Sequence, residues 1–190
     1  MKNLQANDKK PKVDFSTLSV GDSFIFGDYY GPIKWRVLNK NADSLFVISE
    51  FGLDAKPFVK EGYTSDWHDC SLKEWLNTEF FNKAFSSEEK SLIEDTPYGK
   101  AFLLSTDEAE EFLESSSERR CKPTSYALSQ GAFPYQGAFL YQGYCEWWLR
   151  LSDDDDYDAV CVLADGNFYF TGYYKDFASA AVRPAICIKL

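Results

Sequence analysis

The apolar residues of this chain change period twice, and that change constrains its fold more than any other feature. Gly21 to Gly27 and Ile33 to Leu38 alternate as half-buried strands do, with Gly and Pro turn chemistry at Asp28 to Pro32 between them, and Leu45 to Ser49 adds a third strand. From Ser71 the period lengthens. Leu72, Trp75, Leu76, Phe80 and Phe81 fall at helical spacing, with Ser71 the expected N-cap and Glu74 three residues on. Ser86 to Ile93 forms a second helical pattern, Thr106-Asp107-Glu108-Ala109 caps a third, and Thr124 to Gln130 is a weaker fourth. Beyond Gly131 the helical spacing ends, and no internal repeat of useful length stands out. Trp147 to Leu151, Ala159 to Leu163, Phe168 to Thr171 and Val182 to Lys189 read as strands, with a hairpin turn at Asp165-Gly166. Strands, then helices, then a closing antiparallel set is the order of an α+β fold rather than of a parallel βαβ sheet.

A chain of 190 residues with 45% hydrophobic content can bury one substantial core, so one domain is expected over residues 15–190 behind a polar, lysine-rich leader at 1–14. The formal charge of −10 repels phosphate backbones and anionic lipid, which argues against nucleic acid as a partner and against membrane insertion. Neither a signal peptide nor a transmembrane segment is legible, which makes the cytoplasm the default location and the cell surface or a phage particle the alternatives. Five cysteines contain no Cys-x-x-Cys pair, and Cys161 and Cys187 sit among apolar neighbours as small core residues do. Aromatic residues reach 17%, and the Tyr and Phe between 157 and 177 are too glycine-broken to be all core.

A series of short motifs then falls in order: Gly21-Asp22, Ile33 to Leu38, Asp54-Ala55-Lys56-Pro57-Phe58, Cys70 to Asn77, Phe102 to Ser105, Cys121-Lys122-Pro123-Thr124, Trp147-Trp148-Leu149-Arg150 and Val182-Arg183-Pro184-Ala185. Together they resemble an uncharacterised bacterial family, a domain of unknown function common in gut Firmicutes. The closing pair of motifs is also similar to the C-type lectin-like fold in the variant shared with formylglycine-generating enzymes. That likeness implies mixed and antiparallel final strands supporting a loop-built ligand surface. Some proteins of this fold are variable targets of diversity-generating retroelements, which rewrite adenines in a C-terminal cassette. Residues 153–181 consist almost wholly of residues reachable from asparagine codons, with Lys175 the exception.

The expected contact surface is therefore Asp153, Asp154, Asp155, Asp156, Tyr157, Asp158, Asn167, Tyr169, Thr171, Tyr173, Tyr174, Asp176, Phe177 and Ser179. Tyrosine offers large contact area at low entropic cost, and acidic groups add specificity, so a protein or a small hydroxyl-rich or cationic ligand is expected, with no cofactor and no metal. The acidic run lacks the alternation and glycine of an EF-hand loop. His68, the single histidine, lies near Cys70 in what reads as a loop, a poor setting for a nucleophile pair. Arg150 and Arg183 are read as structural, fixing loops through carboxylates, and one of Trp147 and Trp148 is expected to border the ligand surface. A non-enzymatic binding domain is the leading expectation. The alternatives are a metal-dependent cysteine oxidase using thiols near Cys145, for which Cys161 and Cys187 would have to converge, and a structural domain of a surface or phage assembly.

Overall fold

In the computed structural model, residues 13–61, 66–137, 139–152 and 158–190 are described. Gly27 and Tyr30-Gly31 turn strand β1 (Ser23–Asp28) back onto β2 (Pro32–Lys40), which pairs with β3 (Ser44–Ser49). Gly27 is required twice over, since its φ is +76° and a Cβ there would lie 2.7 Å from the Phe85 ring. The inward residues of the hairpin, Phe24, Ile33, Trp35 and Val37, are buried, as their alternation requires.

After the short β4 (Asp54–Ala55), the helical region begins with α1 (Ser71–Trp75), passes through a π-helical turn at Leu76–Phe80, and ends with α2 (Phe81–Ala84). Cys70, not Ser71, caps it: the Cys70 Sγ accepts from Lys73 N at 3.4 Å, while the Ser71 hydroxyl accepts from Lys60 N. Capping boxes open α3 (Ser87–Leu92) from Ser86 and Glu89, α4 (Thr106–Phe112) from Ser105 and Glu108, and α5 (Ser116–Arg119) from Ser115 and Glu118. The cap of α4 thus lies one residue before the expected Thr106. Thr124 caps α6 (Ser125–Ser129).

The closing strands are β5 (Trp147–Ser152), β6 (Asp158–Val162), β7 (Phe168–Tyr174), β8 (Ala181–Val182) and β9 (Ala185–Lys189). The expected single strand Val182 to Lys189 is two strands in two sheets, because Pro184 has no N–H to continue a ladder. One sheet runs β1-β2-β3-β9, all antiparallel, and the other runs β4-β8-β5-β6-β7, where β5 and β8 are parallel. The architecture is mixed α+β. Residues of both sheets and the helices share one hydrophobic cluster, and Val13, expected in the leader, packs against it. Trp147 and Trp148 are both fully buried, because each face of β5 is covered. Their indole N–H groups donate to Arg119 O at 2.9 Å and Lys56 O at 2.8 Å, so neither borders the surface.

Candidate functional site

A cleft of about 510 Å³ opens between the loop that follows α6 and the final strands, lined by Phe133, Tyr135, Gln136, Glu146, Ala164, Phe177 and Ser179. A smaller cavity of about 160 Å³ shares Tyr135, Glu146 and Ala164 and adds Tyr141, Leu163 and Asp165. The loop is tied down at both ends. Ala132 N donates to Ala127 O at the end of α6, Phe133 N to Ser179 O, and Cys145 N to Cys121 O, while Tyr135 N and Tyr144 O meet at 2.7 Å in its middle. Phe133, Tyr135, Phe139 and Leu140 nevertheless face solvent, Phe139 with 88% of its surface. Such a patch of large apolar side chains on an anchored loop is unusual in a surface that binds nothing.

The opposite wall comes from the β6–β7 turn and the segment before β8. Asp165 accepts from both Asn167 N and Asn167 Nδ2 at 2.9 Å and so fixes the turn, and Gly166 has the positive φ that the turn requires. Arg120 reaches this turn through Asp165 O at 3.2 Å and lays its guanidinium over Tyr141, 5.0 Å from the ring centre. Ala181 N donates to Glu146 O, which seats Glu146 at the junction of the two walls.

Of the expected contact residues, Phe177 and Ser179 line this cleft, and Asn167 belongs to the turn beside it. Tyr174 is 70% exposed and Asp176 is exposed, but neither lines the cleft; Tyr169 is half-buried against the core. Asp153, Asp154, Asp155, Asp156 and Tyr157 lie outside the described residues, as do the side chains of Asp158, Thr171 and Tyr173. The wall supplied by Phe133, Tyr135, Gln136 and Glu146 lies outside the expected contact residues. Its signal is a tandem near-repeat, Ala132-Phe133-Pro134-Tyr135-Gln136-Gly137 followed by Ala138-Phe139-Leu140-Tyr141-Gln142-Gly143, which corrects the reading that no useful repeat exists.

The thiols divide into two groups. Cys70 caps a helix from within the core, and burial pushes its thiol up to about 11, while His68 faces solvent, so the two form no nucleophile pair. Cys161 and Cys187 lie on β6 and β9 in different sheets and do not converge on Cys145. Cys145 instead meets Cys121, and the two residues stand opposite one another in an isolated antiparallel bridge. Among the described residues no three His, Cys, Asp or Glu side chains gather as metal ligands.

Beside β4 lies a second polar cluster. The buried Asp54 carboxylate accepts from the Tyr29 hydroxyl at 2.6 Å and lies 3.5 Å from Lys56 Nζ. Tyr30 stacks on Tyr126 with ring centres 3.6 Å apart, and Lys83 Nζ sits 3.3 Å from the Tyr30 ring centre.

Residues 42–190 match the family described as Domain of unknown function (DUF6273). The chain belongs to that family. No curated protein and no solved structure matches it. The DUF6273 match starts just before β3 and takes in both walls of the cleft, the Cys121–Cys145 pair and all five strands of the second sheet. It leaves out β1 and β2, although both complete the first sheet of this DUF6273 chain.

Proposed function

We propose that this DUF6273 chain is a non-enzymatic ligand-binding domain that takes a cationic ligand, presented by a protein or a small molecule, in the cleft between Tyr135 and Phe177. The observation that carries the reading is the cleft itself, a concave site of ligand size with aromatic walls and Glu146 on its lining, beside a smaller cavity that shares Glu146 and adds Asp165. Aromatic faces and carboxylates both favour an ammonium or guanidinium group, and the net charge of −10 steers cations toward the surface. The same charge disfavours nucleic acid.

A C-type lectin-like architecture, in the variant shared with formylglycine-generating enzymes, accompanies this proposal. It is supported by closing strands that carry a loop-built surface at their edge. The retroelement version adds that residues 153–181 are diversified, on the ground of their confined composition. A reverse transcriptase gene and a near-identical template repeat in the neighbouring DNA are expected in that version, and their absence removes it.

The binding proposal is tested by calorimetry with lysine- and arginine-rich peptides, against neutral oligosaccharides as the hydroxyl-rich control. Binding of a basic peptide that weakens at least tenfold in Tyr135→Ala and Phe177→Ala supports the cleft. Binding that survives both substitutions, or selective binding of the neutral sugars, overturns the cationic assignment.

A further inference from the structure

Cys121 and Cys145 share a buried space that Gly52 leaves open. A Cβ on Gly52 would lie 3.7 Å from the Cys145 Sγ and 3.8 Å from the Cys121 Sγ, and the Cys145 Sγ is 3.5 Å from Cys121 O. Opposed residues of an antiparallel pair have Cβ atoms roughly 4.5–5.5 Å apart, so a small approach brings them to the roughly 3.5–4.5 Å that a disulfide spans. Arg183 closes the same space. It is fully buried; its Nε donates to Ser49 O at 3.0 Å, its Nη1 to Arg119 O at 3.3 Å, and its Nη2 has no partner. An unmet donor on a buried guanidinium is costly, so this corner is built to hold an anion.

We infer that Cys121 and Cys145 are a thiol–disulfide couple, with Cys121 the attacking and Cys145 the resolving thiol, seated beneath Gly52 and against Arg183, and oxidised by a low-molecular-weight disulfide.

The electrostatics are consistent with these roles. Burial pushes the Cys121 thiol up, but the hydrogen bond with Cys145, the charge of Arg183 and the Gly52 N–H outweigh it, leaving that thiol below its usual range. Its hydrogen bond with Cys121, and then burial, hold the Cys145 thiol well above. Glu50, a carboxylate whose charge also acts on Arg183, is already paired with Arg36. Cys70, Cys161 and Cys187 are all raised by burial.

The Cys121 thiolate attacks one sulfur of the small disulfide and expels a thiolate, leaving a mixed disulfide. Cys145 then loses its proton and attacks the Cys121 sulfur, expelling the second small thiolate. Two protein thiols become one disulfide, and one small disulfide becomes two thiols. Because both sulfurs are buried, exchange proceeds during folding, before the core closes over them.

The full chain is refolded in mixtures of oxidised and reduced glutathione, acid-quenched, alkylated and mapped by peptide mass. One cross-link between Cys121 and Cys145, with Cys70, Cys161 and Cys187 alkylated, is the expected product. No cross-link at any ratio, or a mixture of pairings, overturns the couple. Cys145→Ser is expected to trap glutathione on Cys121, whereas Cys121→Ser leaves Cys145 free; glutathione trapped equally in both overturns the assigned roles. Should either variant fail to fold, the wild-type map still decides the couple.

Discussion

Arg150 grips Glu108 with both terminal nitrogens of its guanidinium, Nη2 to Oε1 at 2.9 Å and Nη1 to Oε2. The same Oε2 accepts from Ser105 N at 3.0 Å, so one carboxylate completes the capping box of α4 and fastens that helix to β5. Arg150 Nη1 also donates to Leu103 O, and its guanidinium lies 3.7 Å from the centre of the Tyr98 ring. A lysine has no fork with which to make these contacts at once. Arg150→Met is expected to cost about 3 kcal/mol by stranding Glu108, and Arg150→Lys to recover only part of the loss. Urea midpoints measure both, and a wild-type midpoint in Arg150→Met contradicts the role.

Gly166→Ala tests the turn that builds the far wall of the cleft. Gly166 has a φ of +89°, and an added Cβ would lie 1.8 Å from Ser116 O, which is backbone and cannot swing aside. Its own carbonyl accepts from Arg119 Nε at 2.8 Å, so any shift disturbs a buried arginine. The substitution is expected to destabilise by more than the ~1 kcal/mol typical of glycine replacement at positive φ, with a lowered thermal midpoint as the readout. A loss below that size places the contact elsewhere.

Alkaline pH acts on the Tyr29–Asp54 hydrogen bond. Burial first, then the bond to Asp54 and its charge, raise the Tyr29 phenol far above its ordinary value. In the unfolded chain a tyrosine ionises near pH ~10, so the stability tied to the neutral phenol is whole below that pH and falls as pH rises above it. Tyr126, raised by burial and by its bond with Tyr30 to about 12, acts in the same direction, and Tyr30, lowered by Lys83, acts against it. Urea midpoints at pH 8 to 11, roughly spanning that range, are expected to fall in the wild type and to fall less steeply in Tyr29→Phe. Parallel curves would show that Tyr29 plays no part.

The α+β order was legible because periods of two and of 3.6 residues require different faces, and Ile33, Trp35 and Val37 bury just as their alternation demands. What failed was local. The Val182 to Lys189 run looks continuous until Pro184 divides it between two sheets, and the Cys70 cap is hidden because a thiol is a weak acceptor seldom seen at that position. One of Trp147 and Trp148 is expected at the surface on the premise that one face of β5 is wet, yet both are buried, and Phe58 packs against Trp148 with ring centres 5.9 Å apart. Arg183 was expected on a carboxylate and instead donates to two carbonyls, a pairing no sequence pattern announces. Half of the cleft comes from the near-repeat at 132–143, whose glycine-broken aromatic residues follow neither a strand nor a helix period, and not from the compositionally confined 153–181.

Tyr30 is the one described non-glycine residue with a positive φ, +53°, and it remains 56% exposed. A left-handed backbone costs an aromatic residue roughly 1–2 kcal/mol. Stacking on Tyr126 returns about 0.5–1.5 kcal/mol, and the Lys83 ammonium about 0.5–1 kcal/mol at an exposed site. The terms nearly cancel, so Tyr30→Gly is expected to shift stability by less than about 1 kcal/mol, whereas Tyr30→Ala keeps the strain, loses both contacts and is the less stable of the two. Thermal midpoints of the paired variants decide the matter. Equal midpoints would mean that the backbone there is not strained, and a large loss in Tyr30→Gly would mean that the ring contacts, rather than their balance with strain, hold the β1–β2 turn against α6.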